Sequence, residues 1–363
     1  MSQLIYFEDR FAHDVSVVGG KAANLAKLHE QGIDVAPGFV VSASTFRRFL
    51  KENGWSERAE QRDPELAKDI ESSALPPKLA GLLRTAAAEM GECLIVRSSG
   101  VAEDGESASW AGQLETVIGV RPGDQTEAAV LKCWASAFQT CALEYLTGHG
   151  ESSLMMAVLI QPVVEPRCAG VMFTVNPLNG SWREMIVEAA WGQAAPVVQG
   201  EVVPDSYIVR RPRRAPRPIQ RLLARARLDV MEDIVRTQTH KSIVGSGGLA
   251  RVPVEAAKVE APKLRHTELL KLCRLGLKIE GLLGGPQDIE WAIDGAGKIR
   301  VLQARPVTTQ VGVRRTGPAL WTRRFIGERW TEPATPLGWS LIAQVLEKFI
   351  SYPDTQARIL GGG

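Results

Sequence analysis

The chain has 363 residues, of which 45% are apolar and 23% charged, and its net charge at pH 7 is +2. This length suffices for two or three domains, and the small charge gives no general attraction to nucleic acid or to an anionic membrane, so neither partner is expected. The five cysteines are widely spaced, the N-terminus lacks a signal pattern, and no uncharged apolar run reaches membrane-spanning length. We therefore expect a cytoplasmic protein with reduced thiols.

A glycine pair precedes the first predicted helix. Residues 15–18 have the composition of a short strand, Gly19-Gly20-Lys21 would form a turn, and residues 22–28 have the apolar spacing of a helix. Backbone N–H groups, the positive end of a helix dipole and the Lys21 ammonium would then meet at one place, where they can hold a phosphate. A plain turn or helix cap explains the same three residues.

A buried strand is predicted at residues 93–96, where the apolar run is continuous. Arg97 follows directly, at the carboxyl end of the strand, which is where open α/β sheets place ligands. The small-residue loop with Gly112 and Gln113 leads to Thr116, and its backbone could approach an anion closely. Arg97 and this loop would together form a two-sided phosphate clamp. A polar surface loop held by its own acidic residues is the alternative.

A second apolar strand, predicted at residues 155–161, ends at a proline that cannot donate a hydrogen bond to a sheet. The exposed backbone groups at this break could read the edge of an adenine ring, with methionine and valine side chains flanking the ring. A buried strand that ends at a sheet edge explains these residues equally well. Glu188 closes a further predicted strand and could reach a nucleotide sugar or a metal, unless it is a simple strand-end charge.

The most informative segment is a β-hairpin predicted at residues 288–306. Polar and apolar residues alternate along its first strand, and a glycine-rich turn follows. With a loop at residues 295–298, the pairs placed on one side of the sheet are Glu290 with Gln303 and Asp288 with Arg305. Carboxylate and amide oxygens suit Mg²⁺, and a guanidinium matches a phosphate, so this cluster could hold a metal-bound phosphate. An Asp–Arg surface pair beside a solvated glutamate explains the pattern equally well.

The remaining predicted elements make the fold class mixed α/β. Helices are predicted near residues 46–50, 79–90, 125–147, 217–236 and 267–283, and strands at 39–41, 168–175, 184–190 and, with a glycine interruption, 196–211. Beyond residue 306 the composition changes to a linker and then to a tryptophan-rich segment. We interpret this segment as the first piece of another domain, cut short.

Five segments stand in one known order, namely VGGKAANLAKL, LIVRSSG with SASWAGQLETV, MAVLIQPVV, EMIVEAAWG, and GGPQDIEWAI with VLQARPVT. Together they resemble the ATP-binding domain of the phosphoenolpyruvate synthase and pyruvate phosphate dikinase family, over roughly residues 3–309. The resemblance implies an ATP-grasp-like, two-lobed nucleotide-binding fold that clamps ATP and Mg²⁺. The first lobe would span residues 1–190 and the second 191–309, with a linker and truncated extension at 310–363 similar to the central domain of rifampicin phosphotransferase-like members.

The resemblance also implies a role for most of the candidate residues. Lys21 and Arg97 would contact phosphates under a loop formed by Gly112, Gln113 and Thr116. The adenine would be lined by Ile160, Gln161 and Val163. Glu290 and Gln303 would bind Mg²⁺, and Arg305 would act with Arg97 on the transferring phosphoryl group. In such enzymes the β,γ-diphosphate of ATP passes to a histidine on a swivelling domain. That phosphohistidine domain would lie on another chain or on a missing part of the gene.

One departure from the family pattern keeps a second hypothesis open. Ala195 stands where the family often has a glutamate, which favours a catalytically incomplete module that senses ATP or AMP or scaffolds a partner. The final phosphoryl acceptor, whether pyruvate, an antibiotic, a glucan or another compound, cannot be read from these residues.

Overall fold

A computed structural model describes residues 2–101, 114–139, 155–211, 228–245 and 248–307 of the chain. These ranges lie in a unit that extends from Met1 to Val311. The fold is mixed α/β, as predicted, and is built from two antiparallel sheets with helices packed on them. Gly112, Gln113 and the predicted C-terminal extension at 310–363 lie outside the described residues, so their proposed roles stay predictions.

Five antiparallel strands in the described part of the chain form the first sheet. They are β1 (Leu4–Tyr6), β2 (Phe39–Val41), β3 (Leu94–Gly100), β4 (Thr116–Val120) and β5 (Met156–Pro162), and their spatial order is β1-β2-β5-β3-β4. The strand predicted at residues 93–96 continues to Gly100, because Ser98, Ser99 and Gly100 pair with the first half of β5. Arg97 therefore lies inside a strand of an antiparallel sheet, and not beyond the carboxyl end of a strand as predicted.

The second sheet has six antiparallel strands among the described residues. They are β6 (Cys168–Phe173), β7 (Glu184–Trp191), β8 (Asp205–Arg210), β9 (Asp229–Ile234), β12 (Gln287–Ile293) and β13 (Ile299–Pro306), in the spatial order β13-β12-β6-β7-β8-β9. A separate hairpin consists of β10 (His240–Gly245) and β11 (Gly248–Pro253). The chain changes sheet at residues 163–167, so β6 and β7 belong to the second sheet, whereas the predicted boundary at residue 190 assigns them to the first lobe.

The described helices cover both sheets. They are α1 (Val15–Glu30), α2 (Ala43–Glu52), α3 (Ser56–Glu60), α4 (Leu66–Glu71), α5 (Pro77–Met90), α6 (Asp124–Ala135), α7 (Ala195–Val198) and α8 (His266–Leu283). Helices α2, α4, α5 and α6 cover the outer face of the first sheet, where Phe46, Leu83 and Trp134 are buried. Helix α1 packs between the two sheets, and α8 packs on the second. No described helix is long and apolar enough to cross a membrane.

Gly19 interrupts α1 and brings it close to β3. Asp14 caps the helix by accepting a hydrogen bond from the Ser16 N–H (2.9 Å), so residues 15–18 form a helical turn and not the predicted strand. At Gly19 the backbone takes φ 76° and ψ 166°, and the helix resumes after it. A Cβ at Gly19 would lie 2.1 Å from the carbonyl oxygen of Ser99. Only glycine therefore permits this approach of the helix to the strand.

Three further predicted elements differ from the structure. In the helix predicted at residues 217–236, the described part contains β9, whose backbone groups are satisfied by hydrogen bonds to β8. The strand pair predicted at 196–211 is the single turn α7 followed by β8, and Pro196 in the first turn of α7 favours a helical start. The helix predicted at 125–147 ends at Ala135, where a 3₁₀ turn begins.

Candidate functional site

The hairpin of β12 and β13 contains both predicted pairs, but nearer the turn its register is shifted by one residue, since Ile293 pairs with Ile299 and not with Arg300 as a loop at 295–298 requires. Asp288 lies opposite Arg305 and Glu290 opposite Gln303. Arg305 donates hydrogen bonds from Nε (2.9 Å) and Nη2 (2.7 Å) to Oδ2 of Asp288. Asp288 is buried, and this burial raises the pKa of its carboxyl although the charge of Arg305 opposes the change. The pair is thus enclosed within the site, in contrast to the alternative of a surface ion pair.

A β-bulge on β13 provides an acceptor for the first sheet. The register shifts by one residue after Glu290, which leaves Leu302 as an extra residue on β13. The carbonyl oxygen of Leu302 accepts a hydrogen bond from Nη1 of Arg97 (2.8 Å). The bulge therefore joins the hairpin to the centre of β3.

Arg97 bridges the two sheets at the predicted metal ligands. Its Nη2 donates to Oε1 of Gln303 and lies 3.8 Å from Oε2 of Glu290. The residue is 7% exposed, and its Nε has no hydrogen-bond partner among the described residues. One guanidinium thus contacts the two oxygens that were predicted to bind Mg²⁺, so these oxygens can face a single cation.

Lys21 lies on α1, next to the same part of β3. Its Nζ donates to the carbonyl oxygen of Ser98 (3.1 Å), and the following N–H, of Ala22, donates to Oγ of Ser99 (3.1 Å). Lys21 is buried and lines the same cleft as Arg97. The predicted combination of an ammonium with a helix start is therefore present after Gly19, although a helical turn and not a strand precedes it.

Several contacts fasten β13 to the first half of the chain. Val35 and Val301 form a parallel bridge, and the N–H of Val301 donates to the carbonyl oxygen of Asp34 (2.9 Å). Further along the strand, Asn24 Nδ2 donates to the carbonyl oxygen of Ala304 (3.2 Å). These bonds flank the Arg97 contact, so they hold the hairpin residues at a fixed place beside β3.

A cleft of about 470 Å³ lies between the sheets and contains most of the predicted site residues. The predicted residues that line it are Lys21, Arg97, Thr116, Gln161, Val163, Glu290, Gln303 and Arg305. The charged residues gather around Arg97, whereas the chain segment from Pro162 to Val164 contributes an apolar wall. Such a division suits a ligand with an anionic end and a flat apolar end.

Two of the predicted residues that the structure describes, Ile160 and Glu188, are not on the cleft wall. The side chain of Ile160 is fully buried in the core under the first sheet, because neighbouring residues of a strand face opposite sides and Gln161 faces the cleft. Glu188 on β7 and Glu290 on β12 both lie opposite Val171 of β6, so they form one row across three strands. The two glutamates therefore share one face of the sheet, with β6 between them. Burial, and then the charge of Asp288, raise the pKa of Glu188.

Gln193 is a cleft residue that the sequence reasoning missed. Its backbone N–H donates to the carbonyl oxygen of Ser242 (2.9 Å), and its Nε2 donates to the carbonyl oxygen of Val164 (3.0 Å). Ala195, at the position of the departure from the family pattern, lines the same cleft. A glutamine among small residues directly after a strand is the signal that could have indicated Gln193.

Comparison with known proteins shows several relatives. The chain is 31% identical over 336 residues to a protein named probable phosphoenolpyruvate synthase from Methanocaldococcus jannaschii, with 85% of this chain and 27% of the relative covered. It is 31% identical over 353 residues to a protein named rifampicin phosphotransferase from Streptomyces sviceus, with 91% and 39% covered. A structure of the ATP-grasp ligase PsnB with a minimal precursor matches with a TM-score of 0.26 and 12% identity, over 93% of this chain and 64% of that one.

The family follows from the sequence match. The chain spans less than half the length of the two curated relatives, 27% and 39%. Residues 15–317 match the family model described as pyruvate phosphate dikinase, AMP/ATP-binding domain, which confirms the resemblance noted from the five segments. The chain belongs to the family of pyruvate phosphate dikinase AMP/ATP-binding domains.

Proposed function

We propose that this domain binds ATP with Mg²⁺ in the cleft and transfers the β,γ-diphosphate of ATP to a histidine on a separate swivelling domain. The observation that carries the proposal is the convergence of two guanidinium groups and an ammonium with a carboxylate and an amide oxygen. Phosphoryl transfer needs mainly positioning and charge neutralisation, which these groups supply without a covalent nucleophile. No histidine among the described residues lines the cleft, so the acceptor histidine would come from elsewhere.

Glu290 and Gln303 fit the requirements of a Mg²⁺ site. Their side-chain oxygens both contact Nη2 of Arg97, so one cation placed between them has two oxygen ligands from the protein. Mg²⁺ commonly takes few protein ligands and keeps water and phosphate oxygens in its other positions. When bound, the metal would neutralise part of the charge on the phosphates.

The basic residues would hold the phosphates from different elements. Lys21 presents its ammonium from α1, Arg97 its guanidinium from β3, and Arg305 its guanidinium from β13. The two hydrogen bonds that Arg305 donates to Asp288 fix the plane of the Arg305 guanidinium. If Arg97 turned Nη2 towards a phosphate oxygen, Gln303 and Glu290 would be available to hold the metal, while Nη1 would keep its bond to the carbonyl oxygen of Leu302.

The swivelling domain would be supplied by another chain or by another part of the gene. Two observations support this arrangement, namely the short share of the relatives that this chain covers and the lack of a cleft histidine in the described ranges. The relatives carry names with different acceptors, a phosphoenolpyruvate synthase and a rifampicin phosphotransferase. We therefore assign the reaction with ATP to this domain and the choice of acceptor to the rest of the protein.

A second candidate function is a module that binds ATP or AMP without transferring phosphate. Ala195 favours it, because this side chain lines the cleft and offers no oxygen where the family often has a carboxylate. In this case the nucleotide would set the conformation of the domain or its affinity for a partner. The two functions share the binding site and differ in whether AMP is formed.

Calorimetric titration with ATP in the presence of Mg²⁺ tests the site. Glu290→Ala and Arg97→Ala should each weaken binding at least tenfold, because each removes a charged contact in the cleft. Arg48→Ala and Glu52→Ala, which alter an exposed ion pair on α2, are the matched controls. Unchanged affinity in both cleft variants would reject the assigned site.

Transfer is tested separately with a histidine domain taken from a relative. The full chain, Mg²⁺ and ATP labelled in the β-phosphate are mixed with that domain, and the release of AMP and the labelling of the domain are measured. Label on the domain together with AMP supports the transferase. Tight ATP binding without AMP formation, in a mixture that a relative's own ATP domain turns over, supports the sensor instead.

A further inference from the structure

We propose that Gln193, together with Gln161, selects the base of the nucleotide by presenting two amide oxygens to its amino group; the inference rests on the proposed ATP site. Both glutamines line the cleft, and they are 8% and 4% exposed, respectively. They lie on different elements, Gln161 near the end of β5 and Gln193 after β7. The chain segment that follows Gln161 connects the two sheets, and its Val164 accepts a hydrogen bond from Gln193. This segment gives the cleft its apolar wall.

The orientation of both side-chain amides follows from their partners. Nε2 of Gln161 donates to the carbonyl oxygen of Ala36 (2.7 Å), and Nε2 of Gln193 donates to the carbonyl oxygen of Val164 (3.0 Å). A carbonyl oxygen only accepts hydrogen bonds, so the nitrogen of each amide must face it. The Oε1 atom of each amide is then directed away from that carbonyl oxygen. Neither Oε1 atom receives a hydrogen bond from a described residue.

The position of Gln161 is also fixed by its backbone neighbour. A Cβ at Gly38 would lie 2.7 Å from Cγ of Gln161 and 2.8 Å from the carbonyl oxygen of Ile160. The glutamine side chain therefore fills space that only a glycine leaves open. A restrained amide loses little conformational freedom when it accepts a hydrogen bond from a ligand.

Two acceptors on nearly buried side chains of the cleft wall favour a ligand that donates. A ligand that displaces water from such an acceptor without supplying a hydrogen leaves it unpaired, so a donating group is preferred there. The surrounding wall is apolar and is formed by Pro162, Val163, Val164, Ala194 and Val198. A purine fits against such a wall, and the charged residues around Arg97 are left for its phosphates.

The acceptor pair discriminates between purines by the group at C6. Adenine carries an amino group there and can donate to an amide oxygen, whereas hypoxanthine and guanine carry an oxygen that the same acceptor repels. A site that pairs with a donor rejects an analogue that lacks it more strongly than an apolar pocket can. The cleft is therefore expected to prefer ATP over ITP and GTP.

Titration calorimetry with ATP and with ITP, each with Mg²⁺, tests the inference on the full chain. The wild type should bind ATP at least tenfold more tightly than ITP. Gln193→Leu should lower this ratio by about fivefold to tenfold, chiefly through weaker binding of ATP. Gln61→Leu, the same change at an exposed position next to α3, should leave the ratio as in the wild type. Both affinities come from one preparation, so a partly unfolded variant still gives a valid ratio.

The outcomes separate this inference from the proposed function. A reduced ratio in Gln193→Leu with an intact ratio in Gln61→Leu supports base selection by Gln193. If ATP binds but Gln193→Leu keeps the wild-type ratio, base selection is rejected and the nucleotide site stands. If the wild type binds neither nucleotide, the proposed function fails and the inference fails with it.

Discussion

Replacing Arg97 by methionine should destabilise the protein and also open a metal site that the wild type keeps closed. Arg97 is 7% exposed, its Nη1 bonds the carbonyl oxygen of Leu302 at 2.8 Å, and its Nη2 lies 3.8 Å from Glu290. Arg97→Met removes these bonds and leaves the Glu290 carboxylate without its cation. Breaking a buried ion pair costs several kcal/mol, but the Glu290 side chain is 21% exposed and keeps some water. We expect the free energy of unfolding to fall by about 3 kcal/mol.

The expected binding of a divalent cation by the variant follows from the same geometry. In the wild type the guanidinium already contacts Gln303 and Glu290, so a divalent cation without nucleotide has to displace it. In Arg97→Met these oxygens are free to bind the metal. Mn²⁺ at ten times its dissociation constant would then stabilise the variant by about 1.4 kcal/mol and the wild type by far less.

Urea denaturation with and without Mn²⁺ measures both effects, and electron paramagnetic resonance of free Mn²⁺ measures binding directly. Arg48→Met on α2 is the control, because Arg48 forms only an exposed ion pair with Glu52 and should change stability by less than about 0.5 kcal/mol. The double variant Arg97→Met, Glu290→Gln should lose the response to Mn²⁺. Equal stabilisation of wild type and Arg97→Met by Mn²⁺ would refute the view that Arg97 occupies the place of the metal.

Three other substitutions test separate parts of the structure. Gly19→Ala would place a Cβ 2.1 Å from the carbonyl oxygen of Ser99, at a residue whose φ is 76°. Thermal denaturation should therefore show that the free energy of unfolding falls by about 2 kcal/mol or more. A wild-type melting temperature would contradict the close packing of α1 on β3. Burial and the charge of Asp288 raise the pKa of Glu188 in the folded protein, so its ionised form opposes folding. Glu188→Gln should raise the urea midpoint at pH 7, and the gain should disappear as the pH falls below 4.5, the ordinary pKa of a glutamate carboxyl, whereas a gain that persists in acid would exclude ionisation as its cause. Ala195→Glu adds a carboxylate to the cleft wall and should strengthen ATP binding about tenfold only when Mg²⁺ is present; an equal effect in EDTA would show that the new side chain does not reach the metal.

The hairpin was predictable because local rules determine it. Strict alternation defines which face each residue of β12 occupies, and the pairs of Asp288 with Arg305 and Glu290 with Gln303 were confirmed. The predicted loop at residues 295–298 was one residue too long, and the bulge at Leu302 compensates for the difference. The bulge at Leu302 was not predictable, because one extra residue on β13 leaves the alternation of β12 unchanged. Its role also depends on Arg97, which is 205 positions away in the chain.

Other parts of the site depend on which face of a sheet meets the cleft. The sequence marks Ile160 and Gln161 as strand residues, but only the packing of α2 and α5 on one face decides that Ile160 enters the core. The same holds for Arg97, whose strand continues because Ser98 to Gly100 pair with β5, a segment that composition alone reads as a polar loop. Polar residues in a central strand were the feature that sequence patterns misplaced.

The attachment of β13 to both halves of the molecule determines how the cleft can widen. Since Val301 and Ala304 are bonded to the first half, separation of the sheets along this strand would break several hydrogen bonds at once. A rotation about the axis of β13 would leave those bonds in place. Gln303 and Arg305 lie on β13 itself, so such a rotation would displace them less than the cleft residues that lie farther from this strand.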